Sequence, residues 1–90
     1  MNWTVYIIEA SDHSYYTGIS TDVARRFAEH ASARQGAKYF NGRTPLRIAY
    51  LEGDHSRSSA SQREAEIKKL TRKQKYQLIL NQNLGSTQST

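Results

Sequence analysis

Short runs of apolar residues alternate with longer polar segments along the chain. Residues 3–9 are rich in aromatic and β-branched types, which predicts a buried strand. A turn-like segment separates them from a second such run, residues 15–20, and so short a gap favours a β-hairpin. Residues 46–51 alternate between apolar and polar positions and predict a third strand.

The polar segments between these runs carry the signals that begin and end helices. The three helices predicted from them span about residues 22–34, 56–70 and 71–81, each beginning next to a Ser, Thr or Asp that can cap it. The order β-β-α-β-α-α predicts an α+β domain, in which a small three-stranded sheet, antiparallel or mixed, packs with about three helices.

The chain has 90 residues, which is the length of one domain. We expect this domain to span residues 1–83 and residues 84–90 to form a flexible polar tail. Because there is no cysteine, disulfide frameworks, zinc fingers and thiol nucleophiles are excluded. No apolar run approaches the ~20 residues of a membrane span. The first residues lack the pattern of a signal peptide, so a cytoplasmic location is expected.

A net charge of +5 indicates a polyanionic partner, although a solvated basic surface would give the same value. The charge is unevenly distributed. Residues 22–51 and 67–90 are basic, whereas residues 1–21 and 52–66 are mildly acidic. The two basic blocks are therefore the segments in which an anion-binding surface is sought.

Two polar residues of the first predicted helix lie where packing alone would not place them. At 100° per residue, Val23, Phe27 and Ala31 form an apolar stripe, and Arg26 and His30 lie along its edge. Arg26 either lays its methylenes over the core and extends its charge to solvent, or has a function at this position.

Glu64, in the second predicted helix, is likewise a polar residue where packing alone would not place one. It shares a face with Ala60 and Ile67, whereas Glu66 points away. A carboxylate on an apolar stripe needs a partner or a metal ion to offset its desolvation. An ion pair with Lys68, four residues later, is the alternative to a metal.

The predicted hairpin contains Tyr6, Tyr16 and Gly18. Buried tyrosines in a small sheet usually pack with a satisfied hydroxyl group. A glycine late in a strand costs stability and often marks the close approach of another group, so Gly18 is expected to have a structural role.

Taken together, these residues resemble the GIY-YIG nuclease superfamily. Thr4-Val5-Tyr6 and Tyr16-Thr17-Gly18 resemble its paired motif, although the first lacks the glycine and the second has Thr in place of Ile. The segment with Arg26 and His30 resembles the family's first helix, and the segment with Glu64 resembles the helix of its metal-binding glutamate. The likeness covers residues 3 to about 80 and is greatest to the small stand-alone bacterial members.

The resemblance implies a metal-dependent endonuclease that hydrolyses phosphodiester bonds in DNA, in repair or recombination. Glu64 would hold one Mg²⁺ or Mn²⁺ ion that otherwise keeps its waters. The implied catalytic residues are Tyr6 as general base, Tyr16 as a second hydroxyl, Arg26 as ligand of the phosphoryl oxygens and His30 as a polarising or proton-donating group. Because a phenol with a pKa of about 10 is a poor base, Tyr6 needs a nearby cation.

The basic blocks supply candidate contacts to nucleic acid. In the loop beside the proposed site these are Arg34, Lys38, Tyr39 and Arg43, together with Phe40. This mixture of cations and aromatic residues could neutralise phosphates and stack on bases. The alternative is a solvated loop whose aromatic residues cover the core. A second cluster, Lys68, Lys69, Arg72, Lys73 and Lys75, is either a DNA contact or a solvated helical surface.

Two other functions remain open. The chain could be a nucleic-acid-binding module that retains the nuclease fold without turnover, or an adaptor whose basic surface docks another protein. Family nucleases usually obtain specificity from an attached DNA-binding domain, for which 90 residues leave no room, so a protein partner could direct cleavage. Asn81 is the candidate for the terminal polar residue of the family's site. The sequence does not predict the oligomeric state.

Overall fold

A computed structural model describes residues 2–32, 40 and 42–88, with side chains through residue 83. The observed elements follow the predicted order β-β-α-β-α-α. They are β1 (Trp3–Ala10), β2 (Tyr15–Ser20), α1 (Val23–Ser32), β3 (Pro45–His55), α2 (Arg57–Lys68) and α3 (Arg72–Gln88). The α+β prediction is therefore confirmed. None of the helices in these residues is long and apolar enough to cross a membrane.

The three strands form one antiparallel sheet in the order β2-β1-β3, so β1 is central. In the β1–β2 register Tyr6 lies opposite Gly18 and Ile8 lies opposite Tyr16. Because side chains alternate across a strand, these four residues share one face of the sheet. Val5 and Ile7 point to the other face.

Each face of the sheet has its own hydrophobic cluster. The face of Val5 and Ile7 packs with buried residues of α2 and α3, namely Ala60, Ile67 and Ile79. The opposite face contains Tyr6, Ile8, Ala10 and Phe40 as its buried members, with Tyr16, Val23, Phe27 and Ile48 packed against them. The α1 helix thus covers the face that carries both tyrosines of the predicted site.

The beginnings of the helices follow from side-chain caps. Asp22 accepts the backbone N–H of Arg25 at 3.1 Å and caps α1. Ser56 and Ser59 form a reciprocal capping box at the start of α2, with each side chain accepting the backbone N–H of the other residue. The predicted end of α1, near residue 34, lies outside the described residues.

Two predicted boundaries were wrong. The third strand was expected to stop at residue 51, but β3 continues to His55. Between the pairs Val5–Glu52 and Trp3–His55 it contains one extra residue, and Asp54 adopts a positive φ of 61°. The strand therefore continues beyond residue 51 through a β-bulge.

The α3 helix was expected to end near Asn81 but its backbone is helical to Gln88. Gln82 anchors the helix to the edge strand β3, since its side-chain amide accepts the Leu51 N–H at 3.2 Å and donates to the Leu51 carbonyl at 2.5 Å. This contact also covers part of an exposed strand edge. The division into a domain of residues 1–83 and a flexible tail of residues 84–90 stays a prediction.

Candidate active site

Tyr6 lies on the central strand and is almost fully buried, with 1% of its surface exposed. Its ring lies over the backbone of Gly18 on the neighbouring strand. A Cβ atom at position 18 would be 2.6 Å from the Tyr6 hydroxyl oxygen and 2.7 Å from Cζ, closer than real Cβ contacts come. Gly18 therefore provides the space in which the Tyr6 ring packs.

Tyr6, Tyr16, His30 and Phe40 form one aromatic cluster between the sheet and α1. The Tyr6 hydroxyl is 3.3 Å from Nε2 of His30. The ring centroid of Tyr16 is 6.3 Å from that of Tyr6 and 5.1 Å from that of His30, which it meets edge-on. Phe40 covers the cluster, with its ring centroid 4.7 Å from that of His30. Three of the predicted catalytic side chains thus lie together.

His30 is buried, and burial together with the nearby positive charge of Arg26 lowers its pKa below the usual value. The imidazole is therefore neutral at neutral pH. In the tautomer with its proton on Nδ1, Nε2 accepts the hydrogen bond that the Tyr6 hydroxyl donates. A neutral ring in this position orients the hydroxyl group rather than supplying positive charge.

Arg26 projects from α1 with about a third of its side chain exposed. Its Nη1 donates to Oε1 of Glu29 at 2.6 Å, while Nε of Arg25 donates to Oε2 of the same carboxylate at 3.2 Å. The contact with Glu29, and a further one with the Tyr6 hydroxyl, raise the Arg26 pKa. Arg26 thus lies beside the cluster with its guanidinium held by a carboxylate.

Burial and the charge of Tyr16 raise the pKa of Tyr6 above that of a free phenol. The hydrogen bond with Arg26 acts in the opposite direction but does not outweigh the burial. The sequence predicts that the phenolate form of Tyr6 needs a nearby cation. Arg26 alone does not suffice, so ionisation of Tyr6 needs a further positive charge.

Glu64 lies on α2, which packs against β1 and β2. Its charge raises the pKa of Tyr6, so the carboxylate is close enough to act on the tyrosine hydroxyl. The side chain is 23% exposed, and its Oε2 is 3.3 Å from Nζ of Lys68. The ion pair that was the alternative to a metal is therefore present, and it leaves the carboxylate partly accessible.

The sequence model of the GIY-YIG catalytic domain matches residues 2–77, which is most of the chain. The chain belongs to the GIY-YIG catalytic domain family. The family resemblance is thereby confirmed, and a nuclease-like function is supported.

Close relatives of this GIY-YIG chain are small proteins named UPF0213. The UPF0213 protein of Haloquadratum walsbyi is 54% identical over 74 residues, covering 82% of each chain. That of Halobacterium salinarum is 54% identical over 75 residues, covering 83% of this chain and 96% of the relative. The NMR structure of the UPF0213 protein BH0048 from Bacillus halodurans is similar, with a TM-score of 0.55, 47% identity, and coverage of 88% of this chain and 83% of the other.

GIY-YIG nucleases depend in general on a divalent metal ion. Among the described residues there is no group of three or more His, Asp or Glu side chains that could bind a metal. One carboxylate, Glu64, is partly exposed and acts on the pKa of Tyr6, and a single carboxylate suits a hard ion that retains most of its waters. Lys68 is 55% exposed and can leave the carboxylate.

The remaining predicted residues are not all part of this GIY-YIG cluster. Arg43 donates from Nε to Asp12 at 2.8 Å, which ties the loop before β3 to the hairpin turn. Phe40 is buried, so the alternative in which it covers the core applies to that residue. Asn81 is exposed on α3, where it accepts a hydrogen bond from Gln77, and no contact joins it to the cluster. Arg34, Lys38 and Tyr39 lie outside the described residues.

Sequence reasoning missed two groups that position the GIY-YIG side chains. The first is Glu29, which binds Arg26 as well as Arg25; the spacing of three residues between Arg26 and Glu29 was the available signal. The second group is centred on Glu52 of β3, which accepts Nε of Arg63 at 3.1 Å and the Tyr50 hydroxyl at 2.6 Å. Because Arg63 lies on α2, directly before Glu64, this contact fixes that part of α2 on the sheet.

Proposed function

We propose that the protein is a divalent-metal-dependent endonuclease that hydrolyses phosphodiester bonds in DNA. The observation that carries the proposal is the cluster of Tyr6, Tyr16 and His30, with Arg26 bonded to Tyr6 and with Glu64 acting on the pKa of Tyr6. Four elements of the fold, β1, β2, α1 and α2, supply two hydroxyls, an imidazole, a guanidinium and a carboxylate to this part of the structure. Packing of a small core does not require that combination.

Arg26 binds the phosphoryl oxygens of the substrate. Its planar guanidinium matches two oxygens at once, which a lysine ammonium does not. Glu29 accepts from only one of its nitrogens, Nη1, at 2.6 Å. The carboxylate therefore holds the guanidinium plane in a fixed orientation, and the third of the Arg26 side chain that is exposed is where the phosphate would bind.

Tyr6 receives the proton of the attacking water. The water oxygen forms a bond to phosphorus, the bond from phosphorus to the leaving sugar oxygen breaks, and the water proton passes to the ionised Tyr6 oxygen, while the leaving oxygen takes its proton from solvent. His30 Nε2, 3.3 Å away, accepts the hydrogen bond of the Tyr6 hydroxyl once this proton has arrived, and Tyr16 adds a second hydroxyl beside it. Bound at Glu64, a divalent cation supplies the positive charge that favours the phenolate and stabilises the phosphoryl oxygens.

The test is cleavage of supercoiled, single-stranded, duplex and branched DNA with Mg²⁺, Mn²⁺ or a chelator. We expect metal-dependent cleavage that falls by about 100-fold or more in Arg26→Ala and in Glu64→Gln, since one removed electrostatic contact in a nuclease-like site has an effect of this order. Preference for branched DNA would support a role in recombination or repair.

Glu66→Gln is the matched control for Glu64→Gln. Glu66 lies on the same helix, is 66% exposed and contacts Arg63 at 3.1 Å. We expect this variant to cleave like the wild type. The proposal is refuted if no substrate is cut with either metal, or if Arg26→Ala and Glu64→Gln cut as fast as Glu66→Gln.

A second function is favoured by the ion pair between Glu64 and Lys68. A module that binds nucleic acid without turnover would leave this pair intact and have no use for a metal. It predicts salt-sensitive DNA binding, no cleavage, and an affinity that Glu64→Gln does not reduce.

A further inference from the structure

A cavity of about 300 Å³ lies where the start of β2 meets α3. It is lined by Ser14, Tyr15, Arg72 and Lys75. Both basic residues come from the C-terminal cluster, for which a DNA contact and a solvated surface were both open. Lys69 and Lys73 of the same cluster do not line it.

Arg72 is held in a fixed position in this cavity. Its guanidinium lies over the Tyr15 ring, with Cζ 5.2 Å from the centroid. Nε and Nη2 both donate to the His13 carbonyl oxygen, at 3.1 and 2.9 Å. Nη1 has no acceptor among the described residues and is available to a ligand. A guanidinium held in this way loses little entropy when it binds an anion.

Lys75 is the second cation, and it is only partly exposed. No acceptor for its ammonium group lies within the described part of the chain. Burial and the charge of Lys68 lower its pKa. A partly desolvated cation beside another cation is unfavourable until an anion approaches, so an anion is the ligand that this cavity favours.

Lys68 links the cavity to the candidate site. Its charge acts on Lys75, and it also pairs with Glu64 one helical turn away, about 5.4 Å along the axis. On β2, Tyr15 of the cavity and Tyr16 of the aromatic cluster are neighbours in sequence but point to opposite faces of the sheet. The cavity therefore adjoins the site from the side of Glu64.

We propose that Arg72 and Lys75 bind a backbone phosphate of the nucleic-acid strand that is being cut, next to the phosphodiester at Arg26 and Glu64. Lys68 lies between the two sites and contacts the strand when it leaves Glu64. This inference rests on the proposed function. It adds a binding site that sets which position along the strand reaches the catalytic residues.

The test compares Lys75→Gln with Lys73→Gln, which removes the same charge from an exposed position of the same helix. Affinity for a fluorescent DNA oligonucleotide is measured by anisotropy at several salt concentrations, with chelator, in the Glu64→Gln background to prevent cleavage. Thermal unfolding of each variant verifies that it is folded.

We expect Lys75→Gln to weaken binding about fivefold to tenfold. The slope of log K against log salt should fall by about 0.7–0.9, the loss of one phosphate contact. Lys75→Arg should restore both quantities, whereas Lys73→Gln should change affinity less than about twofold because it removes only diffuse charge. Equal losses in Lys73→Gln and Lys75→Gln, or none in Lys75→Gln, overturn the proposed phosphate site.

Failure of this inference is distinguishable from failure of the nuclease proposal. If the wild type never cleaves but Lys75→Gln selectively loses affinity, the phosphate site stands and the nuclease proposal falls. If the wild type cleaves and Lys75→Gln binds like the wild type, the nuclease proposal stands and the phosphate site falls. If the wild type does not bind DNA at any salt concentration, both are overturned.

Discussion

Replacing Gly18 by alanine tests whether the close packing of Tyr6 on β2 holds the site together. The added Cβ would lie 2.6 Å from the Tyr6 hydroxyl oxygen, 2.7 Å from Cζ and 3.0 Å from Cε2. The phenol ring must therefore move away from the strand. It is buried, and its hydroxyl contacts His30 at 3.3 Å, so no nearby space receives it without a shift of α1 or of the sheet.

We expect Gly18→Ala to lower the free energy of unfolding by about 1–3 kcal/mol, the usual cost of overpacking a core. For a chain of this size, each kcal/mol lowers Tm by roughly 4–8 °C. Urea unfolding followed by circular dichroism gives the free energy directly. Cleavage should fall further than stability does, because the displaced atom is the oxygen that is proposed to receive the proton of the attacking water.

Gly53→Ala is the matched control in the same sheet. A Cβ there meets only the Thr4 hydroxyl oxygen, at an ordinary 3.8 Å. We expect its free energy of unfolding to stay within about 0.5 kcal/mol of the wild type. If Gly18→Ala is as stable as Gly53→Ala and cleaves normally, Tyr6 is not held against Gly18 and the reasoning is refuted.

Three further predictions concern single side chains. Thr17→Val should raise the free energy of unfolding by about 1 kcal/mol in urea unfolding, because the buried Thr17 hydroxyl has no partner among the described residues; an unchanged or lower value would indicate a partner such as a bound water. Glu29→Gln should slow cleavage about tenfold with little change in stability, since it weakens the contact that orients Arg26, whereas Arg25→Gln should cleave like the wild type. Burial lowers the pKa of His30, so as the pH falls the unfolded chain binds a proton before the folded chain does, and the folded state should lose stability between about pH 7 and pH 5. Measuring Tm across this range tests the prediction. A folded His30→Gln variant should not show this loss.

The fold was predictable because its signals are local. Residues 3–9 and 15–20 are apolar runs joined by a short turn, and the serines that begin α2 form a capping box. The end of β3 was not predictable. A glycine and an Asp with positive φ normally end a strand, and here pairing with Trp3 carries the strand past them.

For the candidate site, the sequence predicted only which polar residues lie at the edges of the apolar stripes of the helices. Helical spacing placed Arg26, His30 and Glu64 on the core sides of two helices, and the structure brings them towards Tyr6. The partners depend on tertiary contacts. The contact between Glu52 of β3 and Arg63 of α2 depends on the register of β3 in the sheet. No local sequence pattern encodes that register.

The ion pair between Glu64 and Lys68 is compatible with a metal at the same carboxylate, and comparison with the pair between Arg26 and Glu29 shows why. The Arg26 contact is 2.6 Å long, with its carboxylate shared by a second arginine, so it orients the guanidinium. The Lys68 contact is longer, at 3.3 Å, and its lysine is more than half exposed. Exposed pairs at this spacing contribute only about 0.3–0.5 kcal/mol. A divalent cation bound at Glu64 would therefore displace Lys68 at little cost, and the freed ammonium would lie one helical turn from Glu64, on the side of Lys75, where a bound strand would need a positive charge.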